Sequence, residues 1–332
     1  MILNSQKSIL SIILLSIIST SLLDCRNRRR NIPMEFKDSF VEIPVVGTSL
    51  ERSVFFYYPE ESKNTPSKIP LILIYHGGGG SPEGMVGLDN GRLLEFARER
   101  KYAVAYMRGY KNSWNDLRED NNAPANRDQH EDILYTKLFL DQIQNSYKID
   151  SNRVFAGGIS NGGMFSLRLA CEMPEKFVAI TAITAILPTT AKDVCIPKKG
   201  TNLTIINGSS DPIVPYDGGE VTLFGKSRGK IYSTDETIQH FKNIYSCGSV
   251  KTKIIPKSNE EDPTQASLSS WRCNTGSLYL IKINQGGHSW PGGVAYLPKS
   301  LIGLTSNQFS ASKLIADLVQ SNGKISESNL KP

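Results

Sequence analysis

What this chain of 332 residues lacks narrows its class before any motif is read. It holds four histidines and five cysteines, with no CxxC pair and no His/Cys cluster, so no residue set points to a structural zinc or another metal. No apolar run reaches the ~20 residues needed to span a bilayer comfortably. There is no repeat period, no low-complexity block and no basic stripe of the kind that binds nucleic acid. The formal net charge of +6 is local: Arg26, Arg28, Arg29 and Arg30 supply four units and Lys7 cancels Asp24, which leaves +2 for the remainder. What is present, 39% apolar and 21% charged residues, is the composition of a globular protein able to bury a sizeable core.

The first 25 residues differ from the rest. Lys7 precedes an apolar stretch from Ile9 to Leu23, the length of a secretory core segment. That stretch ends Leu22-Leu23-Asp24-Cys25, which resembles a bacterial lipoprotein processing site, although Asp24 stands where a small residue is usual. Residues 1–25 therefore read as a signal peptide with Cys25 as the lipidation site, an ordinary cleaved leader being the alternative. Residues 26–37 read as a basic tether suited to anionic head groups. A single catalytic domain is expected over 38–320, followed by a polar, disordered tail over 321–332. The protein is thus expected to be exported, anchored in the periplasm or at the cell surface, or extracellular if the leader is simply cleaved. Four cysteines remain, Cys171, Cys195, Cys247 and Cys273, and an even number in an exported protein suggests disulfides. Three pairings are formally possible. The sequence-local one would close loops of about 25 residues, worth ~3 kcal/mol each.

The domain alternates strand and helix patterns. Phe40 to Val46 and Ser53 to Tyr58 suggest an opening antiparallel pair. Leu71 to Tyr75 is a short, wholly apolar run, as expected of a strand buried on both faces. Further strands are expected at Tyr102 to Met107, Val154 to Ala156, Val178 to Ala185, Leu203 to Asn207 and Leu278 to Ile283. Helices are expected at about 90–100, 130–147, 161–172 and 234–245. Such alternation implies an α/β fold with a mostly parallel central sheet and helices on both faces. The polar stretch Gly109 to Arg127 reads as a long loop at the C-terminal end of a strand, where ligands bind in such sheets.

Gly158-Ile159-Ser160-Asn161-Gly162 directly follows the run Arg153 to Ala156. A strand turning sharply into a helix would leave Ser160 exposed at the apex as a nucleophile. Past two later strand ends stand Asp211, in Gly208-Ser209-Ser210-Asp211-Pro212, and His288, in Gly286-Gly287-His288-Ser289-Trp290. A serine needs a base to take its proton, and the base needs a carboxylate to hold its tautomer. Ser160, Asp211 and His288 are therefore the candidate triad. Asp-Pro is also a common turn, and Asp132 and Asp217 are rival carboxylates not at the expected strand end. After the strand at 71–75 comes His76-Gly77-Gly78-Gly79-Gly80, which suits an oxyanion loop: Gly78 or Gly79, with Asn161, would donate the two backbone N–H groups. His130 and His240 fall in expected helices, with solvated or packing roles. Trp290 and, in the long loop, Trp114 are the candidate substrate-binding aromatics; core packing is as good a reading of Trp290.

These runs, together with Asp211-Pro212-Ile213-Val214-Pro215-Tyr216 and Trp290-Pro291-Gly292, resemble the secreted polyhydroxybutyrate depolymerase and feruloyl esterase family over residues 40–295. The resemblance implies an α/β-hydrolase fold and hydrolysis of carboxylic esters through an acyl-enzyme, with neither metal nor cofactor. It also implies the pairings Cys171–Cys195 and Cys247–Cys273. The loop Gly109 to Arg127 and the 250–276 region are least like the family and are expected to border the pocket. Two other readings stand beside the esterase: a catalytically silent surface-binding lipoprotein, and a peptidase of the same fold. A binder has no need of a triad and a glycine loop, and no propeller-like or lid segment supports the peptidase.

Overall fold

The computed structural model describes residues 32–330; the leader with Cys25, the first half of the basic tether (26–31) and the last two residues lie outside that range. Twelve strands are described: β1 (Phe40–Val45), β2 (Arg52–Tyr57), β3 (Ile69–Tyr75), β4 (Ala103–Met107), β5 (Ile149–Ile159), β6 (Ala179–Ile183), β7 (Asn202–Gly208), β8 (Gly219–Leu223), β9 (Lys226–Ile231), β10 (Cys247–Ile254), β11 (Gln265–Cys273) and β12 (Ser277–Asn284). Ten of them form one sheet in the order β1-β2-β4-β3-β5-β6-β7-β12-β11-β10, and β8 pairs only with β9. The strands from β4 through β12 in that order run parallel, and the hairpins at either end pair antiparallel.

The helices are α1 (Pro82–Leu88), α2 (Arg92–Arg100), α3 (Pro124–Arg127), α4 (Asp132–Ser146), α5 (Asn161–Glu172), α6 (Thr234–Tyr245), α7 (Lys299–Ile302) and α8 (Ala311–Gln320). Successive side chains of a strand point to opposite faces, so each parallel strand feeds two cores. Leu71, Leu73 and Tyr75 of β3 pack with Phe139 of α4, Phe165 of α5 and Phe241 of α6. Ile72 and Ile74 of the same strand pack with Val86 of α1, Leu94 of α2 and Leu314 of α8 on the other side. Burial on both faces explains why β3 and β4 read as unbroken apolar runs.

Three expectations need correction. About half of residues 250–276 lie in β10 and β11, the outer antiparallel edge of the sheet. Neither they nor residues 109–127, the other segment expected to border the pocket, supply any of the lining of the cavity described below. The segment after α8 is no loose tail up to residue 330, because Leu330 is 4% exposed and packs into the second core. His130 precedes α4 rather than lying within it, and its ring stacks on Tyr110 at 4.1 Å. The cysteines pair as Cys171–Cys195 and Cys247–Cys273.

Candidate active site

Four segments converge at the C-terminal edge of the parallel strands: the glycine loop after β3, Ser160 after β5, Asp211 after β7 and His288 after β12. Ser160 has φ 56° and ψ −124°, a conformation costly for a residue with a Cβ and typical of a sharp strand-to-helix turn. The flanking glycines are required by contact. A Cβ at Gly158 would meet the Gly162 carbonyl oxygen at 2.4 Å, and one at Gly162 would meet the Tyr75 carbonyl oxygen at 2.3 Å. The turn and the glycine loop are thus pressed together, and a Cβ built at Gly77 would lie 3.5 Å from Ser160 Cβ.

Asp211 and His288 are brought into contact. Nδ1 of His288 lies 2.7 Å from Oδ2 of Asp211, and both side chains are buried. The other carboxylate oxygen of Asp211 accepts the N–H groups of Ile213 at 2.8 Å and Val214 at 2.9 Å, which fixes its rotamer. The Asp-Pro turn and the carboxylate that meets the histidine are therefore one device. His288 is pinned through its backbone: its N–H donates to the Ile302 carbonyl, and the Tyr296 hydroxyl donates to its own carbonyl at 3.1 Å. With Nδ1 engaged as a donor, Nε2 is the ring nitrogen left to accept a proton. Neither rival carboxylate has this geometry. Asp132 is buried in an ion pair with Arg52 at 2.6 Å, and Asp217 is exposed. His240 meets the Cys195 carbonyl at 2.9 Å, away from this cluster.

The expected oxyanion donors separate. Gly79 donates its N–H to the Asn112 carbonyl at 2.8 Å, so it is removed as a candidate. The N–H groups of Gly78 and Asn161 make no such bond among the described residues. A Cβ built at Gly78 would lie 3.7 Å from Asn161 Cβ, so these two backbones run side by side. The substrate-binding assignment of the two tryptophans also fails. Trp114 is 0% exposed, stacked on Phe165 at 5.3 Å, with its indole N–H donated to the His76 carbonyl at 2.9 Å. Trp290 is 2% exposed and donates its indole N–H to Ser312 Oγ at 3.0 Å. Both rings are core, because each finds its apolar contacts and its one acceptor inside the protein.

Sequence reasoning missed what the long loop Gly109 to Arg127 contributes. It is held together by buried polar groups: Arg118 meets Asp116 at 2.6 Å, and Asn126 donates to the same carboxylate at 2.9 Å. Asp-Leu-Arg in a polar stretch carries no periodic signal, and only the local excess of Asn and Asp hinted at a network. Beside the acid, a cavity of about 250 Å³ opens between Pro212 and Ile213, the β8–β9 hairpin at Leu223 and Phe224, and Leu297 and Leu301 around α7. Phe224 is 69% exposed there, which is unusual for so large an apolar ring.

Residues 61–223 match the phospholipase/carboxylesterase family. A Nocardia uniformis subsp. tsuyamanensis protein named "Putative esterase NocK" is 28% identical over 76% of this chain and 75% of its own length. The poly(3-hydroxybutyrate) depolymerase of Ralstonia pickettii is 24% identical over 72% of this chain, which spans 52% of that enzyme. Among solved structures, an acetyl xylan esterase from Aspergillus awamori superposes with a TM-score of 0.52 at 17% identity, covering 76% of this chain and 94% of that one.

Proposed function

We propose, from the match to the phospholipase/carboxylesterase family and the similarity to a curated esterase, that this chain is an esterase of the α/β-hydrolase fold in which Ser160 is the nucleophile, His288 the general base and Asp211 the acid that orients the base. In this reading Ser160 Oγ attacks the ester carbonyl while Nε2 of His288 takes the hydroxyl proton. The charge that develops on the carbonyl oxygen is met by the N–H groups of Gly78 and Asn161. The tetrahedral intermediate collapses to an acyl-enzyme, and the leaving alcohol carries away the proton from His288. A water molecule, deprotonated by the same ring, then releases the acid and restores the serine. The observation that carries the reading is the buried 2.7 Å contact between His288 Nδ1 and Asp211 Oδ2, set beyond strand ends level with a serine at positive φ.

For the substrate side we propose the cavity that begins at Pro212 and Ile213, next to Asp211 in the chain. Its lining is mostly apolar, so it suits a short acyl chain, a hydroxycinnamoyl ring or a hydroxybutyrate oligomer rather than a charged group. The test is hydrolysis of p-nitrophenyl esters from acetate to octanoate by the purified chain, with Ser160→Ala as control. Loss of the serine is expected to lower kcat by ~10⁴–10⁶. Equal turnover in the variant would end the assignment. We also propose export, with Cys25 carrying a lipid and the arginines after it facing anionic head groups. Two disulfides suit an oxidising compartment and support that location.

A further inference from the structure

Asn161 follows the serine, and its side chain points away from the site into the long loop. Its Oδ1 accepts the Trp114 N–H at 2.8 Å. Its Nδ2 donates to the Trp114 carbonyl at 2.9 Å and to Asp116 Oδ2 at 2.6 Å. All of these groups are buried: Asn161 is 4% exposed, Asp116 0% and Arg118 5%. Asp116 is in turn gripped by Nε and Nη2 of Arg118, at 3.0 and 2.6 Å, and by Asn126 Nδ2. Arg118 is anchored at its far end by the Arg228 carbonyl of β9 at 2.8 Å.

An ionised carboxylate only accepts hydrogen bonds. Facing one, the Asn161 amide has a single workable orientation, with Nδ2 toward Asp116 and Oδ1 toward the Trp114 N–H. A flipped amide would set oxygen against carboxylate. Asn161 also opens α5 immediately after the strained backbone of Ser160. Fixing its side chain therefore fixes the peptide plane whose N–H faces the developing oxyanion. We infer that Asp116 is a positioning residue for that N–H, acting through the Asn161 amide, with Arg118 holding the carboxylate in place. This rests on Ser160 being the nucleophile and the Asn161 N–H an oxyanion donor.

The experiment is a double-mutant cycle on the full chain, with Asn161→Ala, Asp116→Asn and the pair assayed on p-nitrophenyl butyrate beside Ser160→Ala. Asn161→Ala keeps the backbone N–H and loses only its anchor. Each single variant is expected to lose ~10–100-fold in kcat, with KM within about twofold. The pair should fall no further than the weaker single variant, because Asp116 then has no amide to orient. Affinity for a boronic acid that mimics the tetrahedral state should fall by the same factor. Independent, multiplying losses in the pair, or unchanged kcat in Asn161→Ala, would overturn the inference. If Asp116→Asn does not fold, Asn161→Asp serves instead. It sets a second carboxylate against Asp116, so it must be worse than Asn161→Ala, and equal activity would overturn the inference. Wild-type turnover in Ser160→Ala would remove the parent reading as well. An inactive Ser160→Ala with unaffected Asn161 variants removes this inference alone.

Discussion

His76 opens the glycine loop without touching the proposed reaction, and its ring is a strut. Nε2 accepts the Gly109 N–H at 3.0 Å, which leaves Nδ1 to donate to the Gly77 carbonyl at 2.8 Å. Burial, reinforced by Arg108, lowers its pKa to about 4, against opposing contributions from the Gly77 bond, Glu83 and Asp132. The unfolded chain takes up this proton near the ordinary histidine value of about 6.5, whereas the folded one resists until about 4. The stabilisation is therefore complete above the unfolded value and is lost as pH falls through the window to the folded one. Its full size is on the order of 3 kcal/mol. His76→Gln offers a donor and an acceptor that do not titrate. Its urea midpoint, followed from pH 7 down to pH 4, should decline less steeply than that of the wild type, and matching slopes would contradict this account of the ring.

Helix α5 shows how one element ties sequence, fold and site together. Its first residue lies beside the glycine loop, and its last turn is bound through Cys171 to Cys195 beyond β6. Replacing that pair with Ala and Ser should lower stability by about 3 kcal/mol, measured as a shift in urea midpoint that reductant does not enlarge beyond the share due to Cys247–Cys273. Elements of this kind were legible in the sequence. β3 and β4 are apolar throughout, and Gly158 and Gly162 marked the turn at Ser160 because only a bare Cα fits there. Four strands were not legible, among them β8, Gly-Glu-Val-Thr-Leu, in which only Val221 is buried. β10 has no residue fully buried, and β9, Lys-Ser-Arg-Gly-Lys-Ile, exposes several charged side chains, so neither carries a period-two apolar signal. β11 alternates, but its polar positions are serines that resemble a loop. At the site, spacing located Asp211 and His288 past their strands but could not put Nδ1 against Oδ2. It also could not tell Gly78 from Gly79, since only the Asn112 carbonyl distinguishes them. The tryptophans misled for a related reason, because an aromatic ring beside a motif looks the same whether it faces a substrate or the core.

On the scale of the whole molecule, the sheet separates support from chemistry. Antiparallel hairpins close both ends, and the candidate residues gather along one edge of the parallel centre. Attachment to a membrane belongs to this scale too. A Cys25→Ser variant should leave the membrane fraction for the soluble one while keeping its turnover on p-nitrophenyl butyrate, and unchanged partitioning would sink the lipid anchor. The β8–β9 hairpin stands apart from the ten-stranded sheet, and the ring of Phe224 projects from its tip beside the cavity. It is held to the rest of the protein by Val221 and Ile231, which are buried in the first core, by the Thr222 N–H on the Ile213 carbonyl and by Arg118 on the Arg228 carbonyl. On the proposed reading of the cavity, a change at the hairpin's tip would alter which esters fit while leaving the ten-stranded sheet untouched.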